Sequence, residues 1–262
     1  MPVRTTSKDS RGFGNRKVLD SHSLGFLSTR RTGGGTNATK PSSHVTTNLL
    51  MYVDASVSSS YSGSGTTWFD LSGNSRNMIL NNGPTYTSGT PSYFTFDGTD
   101  DYAGTSITTF NNTNNVSGTM EGWVNIPDTT SYRHIFGMRS TDSFFFLLLI
   151  DTPNTEARVT VNGTSMDINY NPGSNFWNNW KQIVFTFDRS DHKTRLYVNG
   201  SIVATSAGTN SNTFGTLADF QVGGHTYYSN MYGSKFLVYN KALSSTEVLQ
   251  NYDTFKSQFG LS

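Results

Sequence analysis

Residues 180 to 205 read WKQIVFTFDRSDHKTRLYVNGSIVAT, and the fold turns on how this stretch is divided. The runs Trp180 to Phe187, Thr194 to Val198 and Ile202 to Thr205 have the length of strands and are rich in β-branched and aromatic residues. Between the last two sits Asn199-Gly200, a dipeptide that tolerates positive φ at both central positions of a type I′ turn. The stretch predicts antiparallel hairpins. Asn162-Gly163 repeats the turn chemistry after Ala157 to Val161.

Working outward, comparable runs appear at Leu49 to Val53, Met78 to Leu80, Tyr93 to Phe96, Met120 to Ile126, His134 to Met138, Phe144 to Ile150, Phe220 to Val222 and Ser234 to Tyr239. With 25 glycines and only 34% hydrophobic residues, the composition suits short strands joined by turns. A dozen such strands predict an all-β double-sheet sandwich or barrel. Only the end looks helical. Ser244-Ser245-Thr246-Glu247 has the form of a capping box ahead of Val248, Leu249 and Tyr252.

There is no cysteine, which excludes disulfides, thiolate catalysis and the usual structural zinc sites. No apolar segment approaches the roughly 20 residues that span a bilayer, and the N-terminal charges precede no apolar signal core. The expectation is synthesis in the cytoplasm without a signal peptide.

Charge divides the chain. Residues 1 to 45 hold eight Lys or Arg against Asp9 and Asp20, a formal +6, and the remainder carries −5, giving the net +1. Residues 1 to 47 read as an extended basic arm, and 48 to 262 as one domain. The arm has too few apolar residues to offset its conformational entropy alone, so its order requires a partner surface. Arg11, Phe13, Arg16, Lys17, Leu24, Phe26, Arg30 and Arg31 are the candidate docking residues. Its basic residues are dispersed and lack an aromatic ladder, which argues against nucleic acid as the partner.

The ordered series LLMYVDA, TTWFDLSGNSRN, NNGPTY, FTFDGTDDY, MEGWVNI, the stretch 180 to 205, FQVGG and SKFLVYNKALSSTEVLQNYDTFKSQFG resembles the laminin G-like, concanavalin A-like jelly-roll family. It is similar in particular to single-domain versions in tailed-phage virion proteins and bacterial surface proteins. The resemblance covers residues 48 to 260 and implies an antiparallel β-sandwich jelly roll. It also implies calcium at one sheet edge, with Asp70, Asn74, Asp97 and Asp100 as ligands. The chain departs from the family by carrying Ser234 and Lys235 where acidic residues often stand, and an ammonium there would oppose a dication. Alternatively, Asp97 and Asp100 accept backbone N–H groups within their turn while Tyr102 packs in the core.

Related glucanases use an E-x-D-x-x-E strand, whereas Glu121, Glu156 and Glu247 lack that spacing, and Glu121 reads as an ordinary strand position. His22, His44, His134, His192 and His225 are scattered and read as surface or turn residues. No enzyme is expected. Trp177, Tyr227, Tyr228 and Tyr232 are the candidate glycan contacts, while Trp123, Trp180, Phe185 and Phe187 read as packing residues. These readings together predict a virion-surface protein in multiple copies, fastened to capsid or tail proteins by the arm and displaying a lectin-like domain to surface glycans; the alternatives are a lectin module or tail-fibre adhesin without a capsid role and, behind both, a glycan-active enzyme.

Overall fold

The computed structural model describes residues 43–110, 117–127, 133–139, 144–151, 154–158, 160–161, 164–165, 168–209, 219–224 and 227–262. They belong to the second of the two units into which the chain divides, Met1–Thr39 and Lys40–Ser262. Among them are eighteen strands. The first nine are β1 (Leu49–Asp54), β2 (Thr67–Trp68), β3 (Met78–Asn81), β4 (Thr85–Thr87), β5 (Tyr93–Asp97), β6 (Tyr102–Ser106), β7 (Gly118–Asn125), β8 (Arg133–Arg139) and β9 (Phe144–Asp151). The rest are β10 (Asn154–Arg158), β11 (Thr160–Val161), β12 (Thr164–Ser165), β13 (Ile168–Tyr170), β14 (Trp180–Asp188), β15 (Lys193–Val198), β16 (Ser201–Thr205), β17 (Asp219–Val222) and β18 (Asn230–Tyr239). One helix, α1 (Ser245–Phe255), follows them.

The strands form an antiparallel sandwich. The front sheet runs β16-β15-β14-β7-β18-β5-β4 with β1 also on β18, and the back sheet runs β13-β10-β9-β8-β17-β6-β3-β2. The opening stretch supplies β14, β15 and β16. Val198 pairs with Ser201 across the turn, where Asn199 and Gly200 have φ of 49° and 76°, the positive pair that a type I′ turn requires. The turn at 162–163 lies outside the described residues, but its flanks pair antiparallel, Val161 with Thr164.

Each apolar run named from the sequence overlaps a strand; Met120 to Ile126 passes the end of β7 by one residue, and Ala157 to Val161 is divided between β10 and β11. The pattern did not reveal β2, β4, β6, β12 and β13, which are short and polar or small, such as Tyr-Ala-Gly-Thr-Ser in β6. Alternation in the strands sends Trp68, Phe94, Phe96, Phe136, Phe220 and Phe236 into the space between the sheets, where all are essentially fully buried. Each such side chain contributes about 1.5–3 kcal/mol relative to exposure.

A second apolar layer lies on the outer face of the front sheet. There Trp123, Leu237 and Tyr239 meet Val248, Tyr252, Phe255 and Phe259 from α1 and the 3-10 turn Lys256–Phe259. The expected capping box starts the helix: Ser244 Oγ accepts from Glu247 N, and the Glu247 carboxylate accepts from Ser244 N at 3.0 Å. Val248, Asn251, Tyr252 and Phe255 form the buried stripe, at the i, i+3, i+4, i+7 spacing of one helical face.

Candidate functional site

Three places gather the polar side chains weighed as sites: under the helix, at the turn between β5 and β6, and on the outer face of the back sheet. Under the helix, Glu121 is fully buried, so it is not an ordinary strand position. Its Oε1 accepts from Trp123 Nε1 at 3.0 Å and Gln182 Nε2 at 2.9 Å, and its Oε2 accepts from Asn251 Nδ2 at 2.6 Å. Burial pushes its pKa up against those donors.

Beside it, Lys235 Nζ lies 2.9 Å from Asp54 Oδ2 and 4.0 Å from the centre of the Phe255 ring. Burial pulls its pKa down against the attraction of Asp54. The same layer holds the entry of the chain. Val45 N donates to Asn251 Oδ1 at 2.8 Å, Tyr239 Oη donates to Val45 O at 3.0 Å, and Gln250 Nε2 donates to Ser43 O at 2.9 Å. Every group here is committed to assembly, and Glu121 beneath α1 is closed to any substrate. His44 rests between Tyr52 and Phe255, and His134, expected at a surface or turn, is buried in β8.

At the turn FDGTDDY, Gly98 has φ 78°, and a Cβ there would stand 2.8 Å from Asn230 N. That closeness compels glycine. Asp97 Oδ1 accepts from Thr99 N at 2.7 Å and Asp100 N at 3.4 Å, and the Thr99 bond above all holds its pKa below the usual carboxylate range. Asp101 is buried, which raises its pKa, and accepts from Asp97 N at 3.1 Å. The carboxylates of Asp97, Asp100 and Asp101 lie within 4.8 Å of one another, and such hard oxygens on a turn are the kind calcium takes.

The other two candidate ligands are occupied elsewhere. Asp70 accepts from the N–H groups of Tyr52, Ser72 and Arg76, and Asn74 Nδ2 donates to Leu49 O and Leu50 O, so both stitch their loop to β1. Lys235 does not oppose a cation at the turn. It lies five residues along β18 from Asn230, the partner of Asp97, which is roughly 16 Å by strand rise, and it is held by Asp54. Tyr102, expected in the core, is half-buried and faces outward.

That ring leads into the third place. On the outer face of the back sheet is a groove of about 340 Å³, floored by Gly104 and walled by Asn77, Ile79, Asn81, Tyr102, Asp219 and Gln221. Three strands build it through the pairs Ile79 with Gly104, Asn81 with Tyr102 and Gln221 with Gly104. The alternation that sends Met78, Leu80, Ala103, Phe220 and Val222 inward leaves their neighbours outward. Asn77 Oδ1 accepts from Asp70 N, which leaves its Nδ2 to the groove, and Asn81 Nδ2 donates to Ile79 O, which leaves its Oδ1. Ile79 is 45% exposed, an apolar wall among amides. Period-2 reading of β3 and β17 carries this signal, but without knowing that β6 lies between them the residues do not assemble into a site.

The structure distributes the four aromatic candidates. Tyr228 lies against Tyr102 at 6.4 Å, next to the groove, and exposed Tyr227 sits edge-on to His134. Tyr232 is on the opposite sheet with Tyr93 and Trp180, and Trp177 packs partly buried against the core beside Phe176. The arm candidates Arg11, Phe13, Arg16, Lys17, Leu24, Phe26, Arg30 and Arg31 lie outside the described residues, as do His22 and His225.

A laminin G-type model described as the Concanavalin A-like lectin/glucanases superfamily matches residues 97–249, more than half of the chain. The chain belongs to the concanavalin A-like lectin/glucanase superfamily. Among solved structures, this family member is similar to the binding domain of botulinum neurotoxin serotype D, with TM-score 0.65, 13% identity and 80% of the chain covered. It is also similar to the botulinum neurotoxin DC binding domain solved with SialylT, at TM-score 0.64 and 13% identity over 80% of the chain. The receptor-binding domain of type G matches at TM-score 0.61 and 16% identity over 79% of the chain. The chain spans about half the length of these structures, 52%, 52% and 51% in turn. No curated protein sequence matches it.

Proposed function

We propose that the protein is a glycan-binding adhesion module without catalytic activity, fastened by its basic N-terminal segment to a larger assembly. The groove on the back sheet carries this reading: amides, a carboxylate, a tyrosine and an isoleucine converge on a glycine floor, and planar polar groups beside apolar walls are what a sugar's hydroxyls and C–H faces require. Membership of a lectin-containing superfamily supports it. At 13% identity the similar structures solved with SialylT and with N-acetylneuraminic acid share its fold alone. Glycoside hydrolysis needs two carboxyl groups flanking the bond, roughly 5–9.5 Å apart. Among the described residues lining the groove, Asp219 is the one carboxylate, and Glu121 is sealed beneath the helix.

A glycan array probed with the full chain tests the reading. Retention of a defined glycan set, lost in Gly104→Val with unchanged thermal unfolding, is the expected result. The branched side chain fills the floor while its Cβ makes ordinary contact with Gln221 Cγ at 3.4 Å. No retention, or retention indifferent to Gly104→Val, sinks it.

The assembly we favour is a tailed-phage virion, with calcium at the Asp97 turn as an optional ion. The +6 charge of residues 1 to 45, beside a body of opposite sign, supports attachment through that segment. Deleting residues 1 to 42 is expected to preserve glycan retention and abolish incorporation into particles. Normal incorporation of the shortened chain overturns the attachment role.

A further inference from the structure

We infer that the groove selects uncharged saccharides and turns away acidic ones, with Asp219 as the discriminating residue; this rests on the glycan-binding reading above. Folding leaves part of the groove's hydrogen-bonding capacity unused. Asn77 Oδ1 is held by Asp70 N at 3.0 Å, so the side chain offers its Nδ2 donor. Asn81 Nδ2 is held by Ile79 O at 2.9 Å, so that side chain offers its Oδ1 acceptor. Because one partner is a backbone N–H and the other a backbone carbonyl, each amide's orientation is fixed.

Gln221 has a donor and an acceptor to give, the Tyr102 hydroxyl can do either, and Asp219 only accepts. Such a mixed set matches sugar hydroxyls, which donate and accept at once. It does not match a carboxylate, which accepts only and needs paired donors or a cation.

Charge points the same way. Asp219 is the one charged group among the described lining residues, and it is exposed. The acidic turn Asp97–Asp101 leads directly into Tyr102 on the groove wall. In the backbone register Arg139 of β8 stands opposite Asp219, so tighter binding of an acidic glycan is one of the outcomes that the test below separates. A ligand carboxylate a few ångströms from Asp219 at a partly screened surface is disfavoured roughly tenfold. This preference runs opposite to what the acidic sugar of a similar structure would suggest, and at 13% identity that likeness shows the fold alone.

The test pairs a galactose-terminated glycan with its sialylated counterpart, both measured on the full chain at low salt by a direct binding method. The uncharged glycan is expected to bind about tenfold more tightly than its sialylated counterpart, with the gap narrowing at high salt and closing in Asp219→Asn. Asp219→Ser, checked by thermal unfolding, repeats the measurement without an amide. Equal or tighter binding of the sialylated glycan by the wild type overturns the inference and leaves the glycan-binding reading standing. A gap that persists in both variants does the same. Binding of neither glycan, nor of any other on the array, overturns both.

Discussion

The two outer faces of the sandwich differ in what their polar residues do. On the front sheet, Glu121, Lys235, Asp54, Gln182 and Asn251 are buried and saturated, each ion or amide answered by another beneath α1. On the back sheet, Gln221 and Asp219 have no side-chain hydrogen-bond partner among the described residues, and Asn77 and Asn81 use one end of each amide there and keep the other. Polarity on a strand therefore has two meanings. Where a helix covers the face, polar groups must complete one another, because an unanswered buried donor costs about 1–3 kcal/mol. Where the face is open, water holds those groups until a ligand replaces it, and selection for binding has room to act.

The largest effect that this contrast predicts is at the ion pair. Asp54→Asn leaves the Lys235 ammonium buried with its strongest partner gone, and is expected to cost about 3–5 kcal/mol in urea unfolding. The double change Asp54→Asn with Lys235→Met is expected to recover most of that loss, since an apolar side chain suits the site beside Phe255 and Phe259. On the open face, Asp219→Asn should move stability by no more than about 0.5 kcal/mol. Equal costs for Asp54→Asn and Asp219→Asn would erase the distinction between the faces.

Glu121→Gln comes next, at about 1–3 kcal/mol. All three neighbours donate to the carboxylate, and Asn251 cannot reverse its amide because its Oδ1 already accepts from Val45 N. A glutamine NH2 would therefore face a donor, whereas a protonated carboxyl has a single hydrogen and keeps acceptor lone pairs on both oxygens for these donors. The pH dependence has a definite sign. The folded pKa of Glu121 is raised above its ordinary 4.5, so the folded state holds the proton through the window above 4.5 where the unfolded chain has released it. Its contribution is then full below 4.5 and is lost as pH rises through the folded pKa. The stability gap between wild type and Glu121→Gln should accordingly narrow as pH increases through that window. A gap that widens there would mean Glu121 is stabilised as the carboxylate.

What the sequence disclosed follows the range of each signal. The hairpin at Asn199-Gly200 and the cap at Ser244 to Glu247 are set by residues within a turn of one another, and both appear where the pattern places them. The burial of Glu121 depends on Asn251, far along the chain, arriving on a helix whose stripe fits that sheet face. The groove needs β6 between β3 and β17, and β6 has too few large apolar residues to announce itself. Tyr102 follows an acidic turn in a familiar order, but whether its ring faces in or out is decided by register alone. Local chemistry thus located the turns and most strands, and long-range pairing decided which polar residues meet.

A smaller effect than that of either buried substitution concerns the corner that joins the two sheets. Asp97 and Asp100 are exposed while Asp101 is buried, so this cluster is neither saturated like the front face nor open like the back. The backbone N–H of Thr99 already answers Asp97, and the turn can stand on that bond alone. If calcium binds as well, a few-fold excess over its dissociation constant adds about 1 kcal/mol and raises Tm by about 2–4 °C. We expect this shift with calcium and a much smaller one with magnesium, which tolerates irregular turns poorly. It should vanish in Asp97→Asn, whose side-chain oxygen still accepts from Thr99 and so spares the turn. No shift with calcium, or the same shift in Asp97→Asn, assigns the three carboxylates to turn formation. The corner would then belong with the front face, as polarity used up in building the fold.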